Sequence, residues 1–183
     1  MQACPVFVNR GGHRLPHGRP ALHSTDLPMK RNDITPELER AAFEFNYWFS
    51  RFEFCLKEAA FLKSDRPGKK AEPNWDMFVR AKRSAYTMSA DALALVKAAP
   101  QQQVVSGKAK LGWKEIVFDA NEFDLQKMAI LLRTVRNNLF HGGARGNNAW
   151  DDADNTVKLL GHGKIVLDEL AELGGFKRDY LRS

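Results

Sequence analysis

Apolar residues recur at alternating spacings of four and three along four stretches of this chain, the period of amphipathic helices. In the first stretch Leu38, Ala42, Phe45, Phe49, Phe52, Leu56 and Ala59 form a seam. Thr35 stands as N-cap and Pro36 at the first helical position, and the helix is predicted to reach about Lys63. A second set, Phe43, Tyr47, Phe54 and Phe61, falls on nearly the opposite side. One core accounts for one stripe. Either this helix is central in its own domain or the second stripe meets another subunit, and the latter is the expectation carried forward.

The second helix is predicted from after Asn74 to before Pro100, with Phe78, Ala81, Ala85, Met88, Ala92 and Leu95 as its seam. Residues 100–118 carry no clear period and leave room for a small hairpin. The third helix is predicted from near Asp119, with Glu122 in capping-box position and Leu125, Met128, Leu132, Val135 and Leu139 as its seam. Gly142 and Gly143 suit the left-handed turn that closes it. The fourth, roughly Asp151 to Leu173, shows Leu159, Gly163, Val166, Leu170 and Leu173, where Gly163 lets a neighbouring helix approach closely. The fold class predicted is all-α, an antiparallel four- to five-helix bundle over residues 34–175. A flexible arm, 1–33, rich in Gly, Pro, Arg and His, precedes it; a C-terminal tail, 176–183, follows. Met29 is an alternative start.

Composition narrows the class. A chain of 183 residues with 44% hydrophobic positions is long and apolar enough for one domain with a real core, which excludes wholesale disorder. The net charge of +6 favours a polyanionic partner, because lysine and arginine neutralise phosphates and release their counterions. Two cysteines, Cys4 and Cys55, make no disulfide framework and fit a reducing cytoplasm. No apolar run approaches the roughly 20 residues that span a bilayer, so no membrane partner is expected. His13 and His17 have the spacing of a helical metal pair, but Pro16 lies between them. Neither a metal site nor a cofactor is expected.

The chemistry concentrates in "RTVRNNLFHGG", residues 133–143. At about 100° per residue Asn137 and His141 share one face, while Arg136 stands at the edge of the apolar seam. A partly desolvated guanidinium needs an anion, either a ligand phosphate or a carboxylate, for which Glu53 on the first helix is the candidate. Glu53 is also a candidate for the pocket itself. His141, in the last turn, sits where the helix dipole favours its protonated form and suits it to general acid/base chemistry. An arginine that holds a phosphate beside such a histidine fits phosphodiester cleavage without metal. Asn138, Arg145 and the Asn147–Asn148 pair are candidates for substrate contact. The structural alternative is that Arg, Asn and His simply cap the helix end.

"RNNLFHGG" after an apolar helix, together with the aromatic first helix "FNYWFSRFEF", resembles the HEPN superfamily (higher eukaryotes and prokaryotes nucleotide-binding domains). Arg136, Asn137 and His141 match its motif, and the likeness covers about residues 34–175. The resemblance implies a homodimer whose two motifs line one cleft, acting as a metal-independent endoribonuclease on RNA, often in toxin or defence settings. It assigns catalysis to Arg136 and His141, and orientation of His141 or the phosphate to Asn137. It also opens the prospect of an antitoxin protein as partner, but Gly143 stands where one subgroup has the tyrosine that a nucleotidyltransferase modifies. The alternative within the same resemblance is a non-catalytic module that binds nucleic acid, nucleotide or a protein partner.

Overall fold

The structure is a computed structural model and describes residues 34–107, 110–140 and 152–182. The arm 1–33 lies outside them. The element order is α1 (Pro36–Glu58), α2 (Trp75–Lys82), α3 (Ala90–Ala98), β1 (Gln102–Val105), β2 (Leu111–Lys114), α4 (Asp124–Phe140), α5 (Ala153–Gly174) and α6 (Lys177–Tyr180). The fold is thus mostly helical, but not purely so: β1 and β2 pair antiparallel, with Gln103 opposite Trp113 and Val104 opposite Gly112.

The predicted seams carry most of the core, although Ala59, Ala81 and Ala85 are exposed. Leu38, Phe45, Phe49, Phe52 and Leu56 of α1, Leu125, Met128, Leu132 and Val135 of α4, and Leu159, Val166 and Leu170 of α5 are all buried. The α1 start follows the sequence reading, with the Thr35 hydroxyl accepting from the Leu38 amide at 3.2 Å. Its end does not. The helix stops at Glu58, where the Phe61 amide donates to the Leu56 carbonyl and the Ala60 amide to that of Lys57. This is the paired bonding of a Schellman motif, with Ala60 at φ 61° in the left-handed position usually held by glycine. Phe61 consequently leaves the outer stripe and packs edge-on against Phe78, 5.5 Å between ring centroids. Phe43 (66% exposed), Tyr47 (37%) and Phe54 (43%) remain on the outside of α1.

α1 lies mainly against α5, which also receives α3; α4 packs on α2, α3 and α5. Phe45 abuts Gly163, where an added Cβ would sit 2.6 Å from the Phe45 ring, so the close approach expected at this glycine occurs. Further along, Phe52 meets Phe176 at 5.5 Å.

Two further corrections concern helix two and the C-terminal tail. The single second helix is two short ones, α2 and α3, because the Ser89 hydroxyl accepts from the Ala92 amide at 3.1 Å and starts a new helix. Residues 176–183 are not a tail through Tyr180. Phe176 and Tyr180 are buried, and the Tyr180 hydroxyl donates to Asp168 Oδ1 at 3.0 Å. Arg51 holds this segment by donating to the carbonyls of Asp179 and Tyr180. Similarly, α4 begins at Asp124, and the Asp119–Glu122 segment forms a turn ahead of it instead of a capping box.

Candidate functional site: a cleft beside α4

The buried face of α4 carries Leu132 and Val135, and this fixes where its arginines emerge. Arg133 and Arg136, three residues apart, occupy one side of the helix. Arg133 is exposed and Arg136 half-buried. The Arg136 guanidinium lies 4.9 Å from the ring centroid of Phe140 and 5.9 Å from that of Phe49, over their electron-rich faces. Its Nη1 donates to Asn137 Oδ1 at 3.1 Å. Its Nε is buried and has no hydrogen-bond partner among the described residues. No ion pair among the described residues includes Arg133 or Arg136. A guanidinium does not deprotonate in proteins, so Arg136 keeps a charge that its surroundings only partly compensate.

Both arginines open on a cleft of about 390 Å³, whose far wall is built by the loop from α1 and the first turn of α2. Glu53 and Trp75 stand at its floor. The Trp75 indole, 4% exposed, must place its N–H on an acceptor, and Glu53 Oε1 takes it at 2.9 Å. Glu53 therefore lines the same opening as Arg136 but is bonded to Trp75, and it is not the ion-pair partner of Arg136 that the sequence suggested. Asn74 anchors this wall: its side chain accepts from the Met77 amide and donates to the Leu62 carbonyl.

At the rim Glu72 lies 3.1 Å from Lys70 Nζ and 3.6 Å from Lys63 Nζ. The hydrogen bond from Lys70 and the charge of Lys63 hold its carboxyl below the usual carboxylate range. Glu72 is shared by two lysines, Glu53 and Asp76 also line the cleft, and among the described residues neither guanidinium on the α4 side has an ion-pair partner. Such a surface can hold an anion, and its planar donors match the oxygens of a phosphate.

Of the residues singled out from sequence, the cleft joins Arg136 and Glu53, with Asn137 bonded to Arg136 and exposed. Asn138 is 6% exposed, and its Nδ2 donates to the Gln101 carbonyl at 2.8 Å, tying α4 to the chain that enters β1. Its amide serves the fold in place of the expected substrate contact. His141, Gly142, Gly143, Arg145, Asn147 and Asn148 lie outside the described residues, as do Cys4, His13 and His17. Sequence reasoning missed Arg133, Lys63 and Trp75. Arg133 was within reach, since it precedes Arg136 by one helical turn; Lys63 and Trp75 depend on how the α1–α2 loop folds.

Several other polar groups have structural partners. His162 Nδ1 lies 2.7 Å from Asp91 Oδ1 and links α5 to α3. Arg83 sits 4.1 Å over the Phe123 ring. Cys55 is free and buried, and burial raises its thiol pKa. Among the described residues no three His, Cys, Asp or Glu side chains gather as metal ligands, and no helix is long and apolar enough to cross a membrane.

Fold and site together define a mostly helical domain with an arginine-lined polar cleft. The chain matches no family model, no curated protein and no solved structure.

Proposed function

We propose that this protein is a HEPN-type endoribonuclease that cleaves RNA without metal, and that the cleft beside α4 receives the strand. The observation that carries this reading is the state of Arg136: charged, half-buried, lacking a carboxylate partner among the described residues, and open to a cleft it shares with Arg133. A protein with a net charge of +6 suits the same substrate class.

In the proposed reaction Arg136 holds the scissile phosphodiester and opposes the negative charge that grows on its oxygens. His141, directly after α4 in sequence, takes the proton from the ribose 2′-hydroxyl. The 2′-oxygen then bonds to phosphorus while the bond to the 5′-oxygen breaks, and that oxygen leaves with a proton. The products are a 2′,3′-cyclic phosphate and a 5′-hydroxyl. Two copies of the chain supply two histidines, so that one acts as base and the other as acid. The exposed Phe43, Tyr47 and Phe54 edge of α1 is the face assigned to the partner copy. Asn137 steadies Arg136 through the hydrogen bond to its Nη1.

The test is incubation of the purified protein with tRNA and mRNA in EDTA, followed by analysis of the ends. The parent should leave cyclic phosphates, and His141→Ala should lose about 10²-fold or more in rate. Cleavage abolished by the chelator, or undiminished in His141→Ala, refutes the mechanism. RNA binding without any cleavage by the parent assigns the chain to the non-catalytic binding class instead.

A further inference from the structure

We propose that the loop joining α1 to α2 carries a second phosphate station, in which Lys63 and Lys70 hold a phosphodiester of the RNA strand neighbouring the one on Arg136, and that Glu72 occupies this station until RNA arrives. The proposal deepens the ribonuclease reading and rests on it.

The loop is pinned at its base. Leu62 and Pro73 form an antiparallel bridge, the Lys63 amide donates to the Glu72 carbonyl at 3.0 Å, and the Asn74 amide donates to that of Phe61 at 2.8 Å. This base fixes Lys63 and Glu72 side by side, and the turn through Gly68 (φ 80°) brings Lys70 back to them. The two ammonium groups then address different oxygens of one carboxylate, Lys70 facing Oε1 and Lys63 facing Oε2. A phosphodiester presents the same pattern, a single negative charge spread over two terminal oxygens. Glu72 is thus an internal stand-in for the ligand this pair would bind.

Displacement of that stand-in is easy. The side chains of Lys63 and Lys70 are 60% and 83% exposed, and ion pairs this solvated are weak and screened by salt. The station also opens into the same cleft as Arg133 and Arg136, so one strand can touch both walls. A mononucleotide with one phosphate has no second diester to offer, and the station therefore selects oligonucleotides over mononucleotides.

The experiment measures binding of a labelled single-stranded oligouridylate by fluorescence anisotropy across a salt series. The His141→Ala protein serves as background to prevent cleavage. Adding Lys63→Gln together with Lys70→Gln should weaken binding about fivefold or more at low salt and lower the salt slope by about 0.7, the value for one phosphate of a single strand. Binding of uridine monophosphate should stay unchanged in the same variant. Glu72→Gln should tighten oligonucleotide binding, because the competing carboxylate is gone. Lys63 and Lys70 are exposed and the half-buried Glu72 side chain bonds, among the described residues, only to them, so the fold persists and melting curves serve as the control. Unchanged affinity and slope in the lysine variant overturn the station. Weaker binding in Glu72→Gln overturns the role given to that carboxylate. Loss of binding in Arg136→Met with no effect of the lysines rejects the station while leaving the ribonuclease reading intact, whereas a background protein that binds no RNA rejects both.

Discussion

Replacing Tyr180 tests how the end of the chain is held. Its side chain is fully buried, with its ring 4.8 Å from that of Trp48 and its hydroxyl on Asp168. Truncation to alanine removes an aromatic ring from a packed core and leaves a cavity, at a cost of about 3–5 kcal/mol. For a domain of this size that corresponds to a fall in Tm on the order of 10 °C. Tyr180→Phe separates packing from polarity. The ring stays, one hydrogen bond goes, and Asp168 keeps Lys164 at 2.6 Å on its other oxygen, so the loss should be about 1 kcal/mol. Burial first, and then the charge of Asp168, pushes the phenol above the usual tyrosine range, so this bond persists into alkaline solution. Thermal unfolding followed by circular dichroism, with urea titration alongside, measures both variants. A Tyr180→Ala protein that melts within about 2 °C of the parent would falsify the packing described for α6 and restore the tail that the sequence suggested.

Two other outcomes follow from single groups. Asn138→Ala leaves the Gln101 carbonyl without its donor and should lower stability by about 1–3 kcal/mol by urea titration, while RNA cleavage per folded molecule stays at the parent level; a selective loss of cleavage would return Asn138 to the substrate. Glu169 has its pKa raised, chiefly by burial and further by Asp91 and Asp168, against the lowering effect of the Ser89 hydroxyl. An acid with a raised folded pKa destabilises the fold above that pKa, and the penalty fades as pH falls toward the unfolded value. Glu169→Gln keeps an acceptor for Ser89 and should therefore melt higher than the parent at neutral pH, with the gap closing in acid. A lower melting point at neutral pH contradicts this.

The helical seams were legible because burial on one face writes a 3.6-residue period into the chain, as at Phe45, Phe49 and Phe52. The stops and breaks were less so. α1 ends on Ala60 in a left-handed conformation, a position where alanine gives no signal that glycine would have given. The break before α3 rests on one serine hydroxyl, inside a stretch whose apolar period continues unbroken from Phe78 to Leu95. The domain was expected to finish at residue 175, yet Gly175 only turns the chain so that Phe176 and Tyr180 fold back into the core. At the site, Arg136 at the edge of its seam followed from helical geometry, and Glu53 lines the same cleft. That Trp75 takes Glu53's carboxylate, and that Lys63 and Lys70 rim the opening, depends on long-range packing of the α1–α2 loop. No periodicity records it.

The central claim is that the Arg136 charge is kept for a ligand and not for the fold, and Arg136→Met tests it most directly. Methionine retains apolar contact with Phe49 and Phe140 and removes both the charge and the unpartnered Nε. Measured side by side, the variant's Tm should equal or exceed the parent's, while its single-turnover cleavage of single-stranded RNA in EDTA should drop about 10²-fold or more. A variant that is clearly destabilised yet cleaves RNA at the parent rate contradicts the account and makes Arg136 a structural residue.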